Sequence, residues 1–429
     1  MSYFRKFIML IMIISVLGIA RSYAQITPEN FEETNVRKYT LPDPLVMQNG
    51  AKVTDAADWT KNRRPEILEL FKTNVFGNMP GKIADVSYKT LSSDSGALNG
   101  KATRKEVRVT FAKGNNNTYM DILMYVPNNL NAPAPAFIGL NFSGNHTVRN
   151  DPAITLSKQW ITFNKPGKVI DHRATEASRG DSSGRWAIDH IIDSGYALAT
   201  IYCGDIDPDW DDGFQNGIHP FFLADGQMTP SKGEWGTIGA WSWGLSRALD
   251  YLETDTTVDA SKVAVMGHSR LGKAALWAGA NDERFALVIS NNSGCGGASL
   301  YRRNFGETIA MINTNFPHWF NNNFNMYNNN EDALPVDSHM LLALMAPRPV
   351  YVASAAEDLH ADPRGEFMAA FHASPVYELF GKTGLPAQRM PAVDTPVMGT
   401  VGYHCRTGGH NVTEYDWRQY VRFADMHLK

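Results

Sequence analysis

The chain is poor in cysteine, with three in 429 residues: Cys203, Cys295 and Cys405. So sparse and odd a set excludes a disulfide framework and allows at most one pair beside one buried thiol, leaving stability to an apolar core. There is also no apolar run near the ~20 residues that a helix needs to cross a bilayer. The run Phe7 to Ala20 falls short of it. Basic charge is not in excess: 40 Lys and Arg face 44 Asp and Glu, for a net charge of −4, which argues against a nucleic-acid partner. Internal repeats and low-complexity linkers are absent as well.

The first residues read as a secretory leader. Arg5 and Lys6 precede the apolar run, and Ser22-Tyr23-Ala24 forms a small-x-small cleavage site. Residues 1–24 are therefore expected to be removed, leaving Gln25 at the start of a periplasmic or secreted protein. No cysteine follows the cleavage site to take a lipid anchor. The whole sequence is 43% hydrophobic, enough to bury a large core, and 25–429 is expected to form a single domain.

Trp59 to Phe76 has helical apolar spacing that ends at Gly77, with Arg63 and Arg64 expected on a solvated face. Lys105–Phe111 and Met120–Val126 read as paired strands around a turn at Gly114–Asn117. Ala136–Asn141 is too continuously apolar to be half exposed, so it belongs inside a sheet covered on both faces. Helices are expected at Arg185–Asp193, Ile238–Leu252, Met340–Leu344 and Tyr415–His427, and strands at Tyr196–Tyr202, Phe285–Ser290 and Val350–Ser354. This alternation predicts an α/β fold of three layers, α-β-α, with a largely parallel central sheet.

The rest is organised around Lys262 to Ala280. Apolar Val263–Met266 runs into Gly267-His268-Ser269-Arg270-Leu271-Gly272-Lys273 and then an Ala/Leu/Trp stretch of helical spacing. A serine pinned between a strand end and a helix start has an exposed hydroxyl beside free N–H groups, the geometry of a nucleophile elbow. Ser269 then needs a base, and the base a carboxylate to fix its tautomer. In α/β-hydrolases the order is serine, acid, histidine. His410, after Gly408-Gly409 and just before the last helix, fits the final slot, with His404 its rival. The acid is sought after the Val350–Ser354 strand: Asp358 first, with Glu357 and Asp362 behind it. The loop Phe142–His146, after the preceding strand, is placed to face the nucleophile and lend an oxyanion donor. Asp205, Asp207 and Asp209 offer cation ligands, but no spaced glutamate completes a calcium loop, so turn capping is expected and no metal is assigned.

Gly267-x-Ser269-Arg270-x-Gly272-Lys273, Trp59-x3-Arg63-Arg64, Gly204-Asp205-Ile206-Asp207-Pro208-Asp209, Ala361-Asp362-Pro363-Arg364-Gly365-Glu366-Phe367 and Gly409-His410 together resemble the bacterial glucuronoyl esterases, carbohydrate esterase family fifteen. The likeness spans nearly all of 25–429. It implies an α/β-hydrolase that cleaves esters of 4-O-methyl-glucuronic acid on glucuronoxylan, including lignin-carbohydrate links, without metal or organic cofactor; a monomer is expected separately. Carried over, Ser269 is nucleophile, His410 base and Arg270 oxyanion stabiliser, while Lys273 and Glu307 bind sugar hydroxyls. Two positions depart from the pattern. Asn292, in Asn291-Asn292-Ser293-Gly294, stands where many members carry their acid, so either Asp358 supplies it or the triad is broken. His360 stands beside the sugar where the family usually has tryptophan, which removes a stacking face. An exported acetyl xylan esterase, or a sugar-binding homologue without activity, are the alternative readings.

Overall fold

Ten strands hydrogen-bond into one sheet in the computed structural model, which describes residues 29–429. The expected leader, 1–24, lies outside the described residues. In chain order the strands are β1 (Asp85–Ala97), β2 (Ala102–Lys113), β3 (Asn116–Pro127), β4 (Ala134–Asn141), a separate small hairpin of β5 (Val169–Ile170) and β6 (Arg173–Ala174), then β7 (Ala197–Tyr202), β8 (Val258–His268), β9 (Leu287–Asn291), β10 (Val350–Ala355), β11 (Val397–Met398) and β12 (Val401–Arg406). Their order across the sheet is β1-β2-β3-β7-β4-β8-β9-β10-β12-β11. The six strands from β7 to β12 in that order run parallel, and the antiparallel pairs lie toward the edges.

Ten α-helices accompany them among the described residues: α1 (Ala56–Asp58), α2 (Arg64–Phe71), α3 (Ile188–Asp193), α4 (Cys203–Ile206), α5 (Thr237–Leu252), α6 (Arg270–Asn281), α7 (Ile309–Asn315), α8 (Ser338–Ala343), α9 (Pro363–Leu379) and α10 (Glu414–Leu428). Because successive strand side chains point to opposite faces, each parallel strand feeds two cores. Val263 and Val265 of β8 pack with α5, α6, α8 and α9, whereas Ala264 and Met266 pack with α3 and α10. Val352 and Tyr351 of β10 divide the same way. This is the expected three-layer arrangement. No helix among the described residues is long and apolar enough to cross a membrane.

Three features depart from the sequence reading or lie outside it. The Arg63-Arg64 face is not solvated: Arg63 Nε donates to Pro44 O at 3.0 Å, and Arg64 donates to Ala280 O and Leu344 O at 2.9 and 3.2 Å. These last two carbonyls lie at the C-terminal ends of α6 and α8, which need donors from outside their own helices. The helical stretch, with π turns at Trp59–Arg63 and Lys72–Phe76 on either side of α2, is further fixed by Phe76 stacked on Trp277 of α6 at 4.4 Å. Second, β1 and α9 were not expected. β1 is an almost wholly exposed edge strand with no apolar alternation, and α9 starts at a proline and holds Pro375 within it. Third, the pairing that the sequence leaves open does not form; all three cysteines are free and buried.

Candidate active site

The parallel strands deliver every candidate residue to one edge of the sheet, at their C-terminal ends, where α/β sheets bind ligands. β8 ends at His268, and α6 begins at Arg270. Ser269 between them has φ 57° and ψ −131°, a left-handed backbone rare for a residue with a Cβ. Its N–H is held by Asn291 O at 2.9 Å. The turn is tight enough that a Cβ on Gly267 would lie 1.9 Å from Leu271 O.

His410 sits on the loop between β12 and α10, with Nδ1 2.6 Å from Asp358 Oδ2. A carboxylate only accepts, so in the neutral ring Nδ1 carries the proton and Nε2 keeps the lone pair. Asp358 follows β10, is buried, and accepts a second hydrogen bond on the same oxygen from Asn292 Nδ2 at 2.7 Å. Burial pushes the Asp358 carboxyl up, but its bonds to His410 and Asn292 outweigh that and hold it below the usual carboxylate range. Arg406 wraps the His410 loop, donating to Thr407 O, Gly409 O and Asn411 O at 2.8, 2.9 and 2.5 Å while its Nε pairs with Asp416 at 2.8 Å.

The rival residues are engaged elsewhere. His404 is buried on β12 between Asp416 and Tyr351, at 2.9 Å from each. Glu357 is exposed. Asp362 is buried, pairs with Arg303 at 2.8 Å and caps α9 through Gly365 N–H. The loop after β4 approaches the elbow through Phe142, 6.0 Å from the His268 ring, while His146 turns away to Ser178.

His268 itself was not singled out from the sequence, although its place before Ser269 was the available signal. Its ring is 4.5 Å from that of His410, and its Nδ1 is 2.6 Å from Asn291 Oδ1. Burial, then the neighbouring His410 and Arg185, push it down to about 3, so it is neutral.

On the other side of Ser269, the Arg270 guanidinium pairs with Asp209 and lies 4.7 Å from the Trp319 ring and 5.1 Å from Phe316. Asp209 also accepts from Trp319 Nε1 at 2.8 Å. Its two neighbours in the acidic loop diverge: Asp205 takes the Asp121 N–H and Asp207 the Thr237 hydroxyl. No group of side chains able to hold a metal occurs among the described residues.

Lys273 is buried, not a solvated helix lysine. Its Nζ donates to Ser293 O at 2.8 Å and lies 3.6 Å from Glu307 Oε2 and 5.5 Å from the Trp319 ring. Glu307 is also close to His360 Nε2, at 3.5 Å, while His360 Nδ1 reaches Glu29 at 2.6 Å. Burial alone would push the Glu307 carboxyl up; Lys273 first, then His360 and Arg270, bring it below its ordinary value. The bond to Glu307, against some burial and with help from Glu29, pushes His360 up to about 9. The turn that supplies both Asn292 and Ser293 is fixed by buried Glu366, which accepts from Ser293 N, Gly294 N and Ser354 Oγ at 2.8, 3.1 and 2.6 Å. Trp319 and Glu366 were also missed as site residues; Trp319 comes from a long asparagine-rich segment between β9 and α8, where no spacing marks it.

Comparison with known proteins gives the following. The family model described as glucuronyl esterase, fungi, matches residues 219–381. A carbohydrate esterase from an unknown prokaryotic organism is 51% identical over 406 residues, which cover 95% of this chain and 94% of that protein. The 4-O-methyl-glucuronoyl methylesterase of Podospora anserina is 29% identical over 324 residues, 73% of this chain and 54% of its own. Among solved structures, a promiscuous CE15 esterase from the marine bacterial metagenome matches with a TM-score of 0.88 at 50% identity, covering 94% of this chain and 100% of that one. A glucuronoyl esterase from Solibacter usitatus matches with a TM-score of 0.87 at 48% identity, covering 92% and 100%.

Proposed function

The chain belongs to the glucuronoyl esterases, carbohydrate esterase family 15, and is thereby a carboxylic ester hydrolase; on that premise we propose that it cleaves esters of 4-O-methyl-glucuronic acid on glucuronoxylan, lignin-carbohydrate links included, through an acyl-enzyme on Ser269. The observation that carries the assignment of roles is the 2.6 Å contact between His410 Nδ1 and Asp358 beside the elbow. Ser269 Oγ adds to the ester carbonyl while His410 Nε2 takes its proton, and Asp358 stabilises the imidazolium. The Arg270 N–H and guanidinium meet the oxyanion; a full positive charge fixed before the negative charge develops adds to what amides supply. Collapse expels the alcohol, which takes the proton back from His410. Water, deprotonated by the same imidazole, then frees the uronate.

Lys273 and Glu307 take the sugar hydroxyls, with Trp319 beside them. His360 contributes a charged imidazolium to this end of the site in place of the broader, neutral indole of tryptophan. Export through the 1–24 leader and action as a single-domain monomer belong to the same reading; a mature N-terminus at Gln25 is the check on export. The test of function is kcat/KM on benzyl glucuronate against a neutral acetyl ester, with labelling of Ser269 by a serine-directed phosphonate. Preference for the glucuronate and labelling at Ser269 are expected. Preference for the acetyl ester would replace the substrate, and absence of labelling would leave a sugar-binding protein. The relative described as promiscuous, taken with the changed His360 position, favours a second reading in which simple esters are also turned over.

A further inference from the structure

An open depression of about 680 Å³ lies beyond His410. Its lining shares His410 with the site but includes none of Arg270, Lys273, Glu307 or His360. Three other charged residues line it, and two of them are matched. Asp181 pairs with Lys165 and Lys168, and Arg406 with Asp416. The third, Arg185, is half-buried with no carboxylate within ion-pair distance among the described residues. Its Nε donates to Asn411 Oδ1 at 2.8 Å and its guanidinium lies 5.8 Å from the Phe142 ring, while Nη1 and Nη2 have no hydrogen-bond partner among the described residues. Burial without a counter-charge lowers its affinity for the proton. A guanidinium taken partly out of water in this way is costly unless something pairs with it.

The direction of the reaction says what that partner is. The departing alcohol oxygen has to receive its proton from His410 Nε2, so the alcohol leaves on the His410 side, while the sugar is held on the Lys273 side. We propose that the Arg185 depression is the binding site for the alcohol portion of the ester, and that Arg185 selects alcohols whose far end carries acceptor oxygens, a carboxylate above all. This rests on the glucuronoyl esterase reading and names the part of the substrate that reading leaves open.

The experiment compares kcat/KM for the glucuronate esters of benzyl alcohol and of 4-carboxybenzyl alcohol at pH 7, in wild type, Arg185→Gln and Arg185→Lys. The ratio of the two substrates on one enzyme cancels any general loss from a disturbed His410 loop or a partly folded sample. Wild type should prefer the carboxylated ester by about tenfold, the order expected for one partly desolvated charge pair, and the preference should shrink at high salt. Arg185→Gln should bring the ratio to about one, and Arg185→Lys should keep most of it. Should Arg185→Gln fail to fold, competitive inhibition of wild type by the two free alcohols gives the same comparison. A wild-type ratio near one with good turnover of both esters, or a preference that survives Arg185→Gln, overturns the assignment of Arg185 and leaves the esterase reading standing. No turnover of either ester overturns both.

Discussion

Asp358 gives one oxygen to two donors, His410 and Asn292, and no other carboxylate among the described residues is bonded to His410. Asp358→Asn should therefore stabilise the wrong imidazole tautomer and lower kcat by roughly 10⁴ with the fold intact. Glu357→Gln should stay within a few-fold of wild type, because that side chain faces solvent; a larger loss from Glu357 than from Asp358 in steady-state turnover would reverse the assignment. His360 makes a different, pH-dependent contribution. Its folded pKa, about 9, lies above its ordinary 6.5, so its ion pairs with Glu307 and Glu29 stabilise fully below pH 6.5 and are lost as pH rises through about 9. The Tm of wild type should consequently fall between pH 6.5 and 9 relative to that of His360→Gln, and parallel Tm profiles would dismiss the ion pairs. Of these residues, Ser269, His410 and Asp358 were legible because each follows a strand or precedes a helix at a small-residue turn. His268, Trp319 and Glu366 were not, because their roles depend on partners distant in sequence.

At the scale of elements, β9 and β10 are parallel neighbours whose ends open at the same point, with Asn292 N–H bonded to Ala353 O at 2.7 Å as β9 runs out. Either strand end can thus present a carboxylate to the His410 imidazole. Asn292→Glu placed in the Asp358→Asn background is expected to recover part of the lost turnover; no recovery above the single variant would show that the earlier strand end does not reach the ring. The β8-to-α6 turn admits no such freedom. Gly267→Ala would put a methyl 1.9 Å from Leu271 O, a backbone atom that cannot move without displacing the first turn of α6. Loss of soluble protein, or of phosphonate labelling, is the expected outcome, and wild-type turnover would contradict it. The same tightness made this element the most readable in the chain, since a strand run, two glycines and an alanine-rich helix have few other ways to connect. β1 and α9 were unreadable for the opposite reason: an exposed edge strand has no buried face to alternate, and a helix entered and crossed by proline looks like a loop.

Across the whole molecule, the three layers followed from alternation of strand and helix, but the ties between distant segments did not. Arg64 reaching the ends of α6 and α8, and Glu29 reaching His360, join the start of the described chain to its centre through side chains whose sequence context reads as solvated surface. The cysteines carry this to a practical end. Each thiol is buried and unpaired, so every link between β-sheet, helices and loops is non-covalent and the polypeptide carries no memory of its redox history. Folding is therefore expected to need neither a thiol oxidant nor a disulfide isomerase. Protein refolded from urea under dithiothreitol should match protein refolded in air in yield, Tm and specific activity, and material made in a reducing compartment should be interchangeable with material made in an oxidising one.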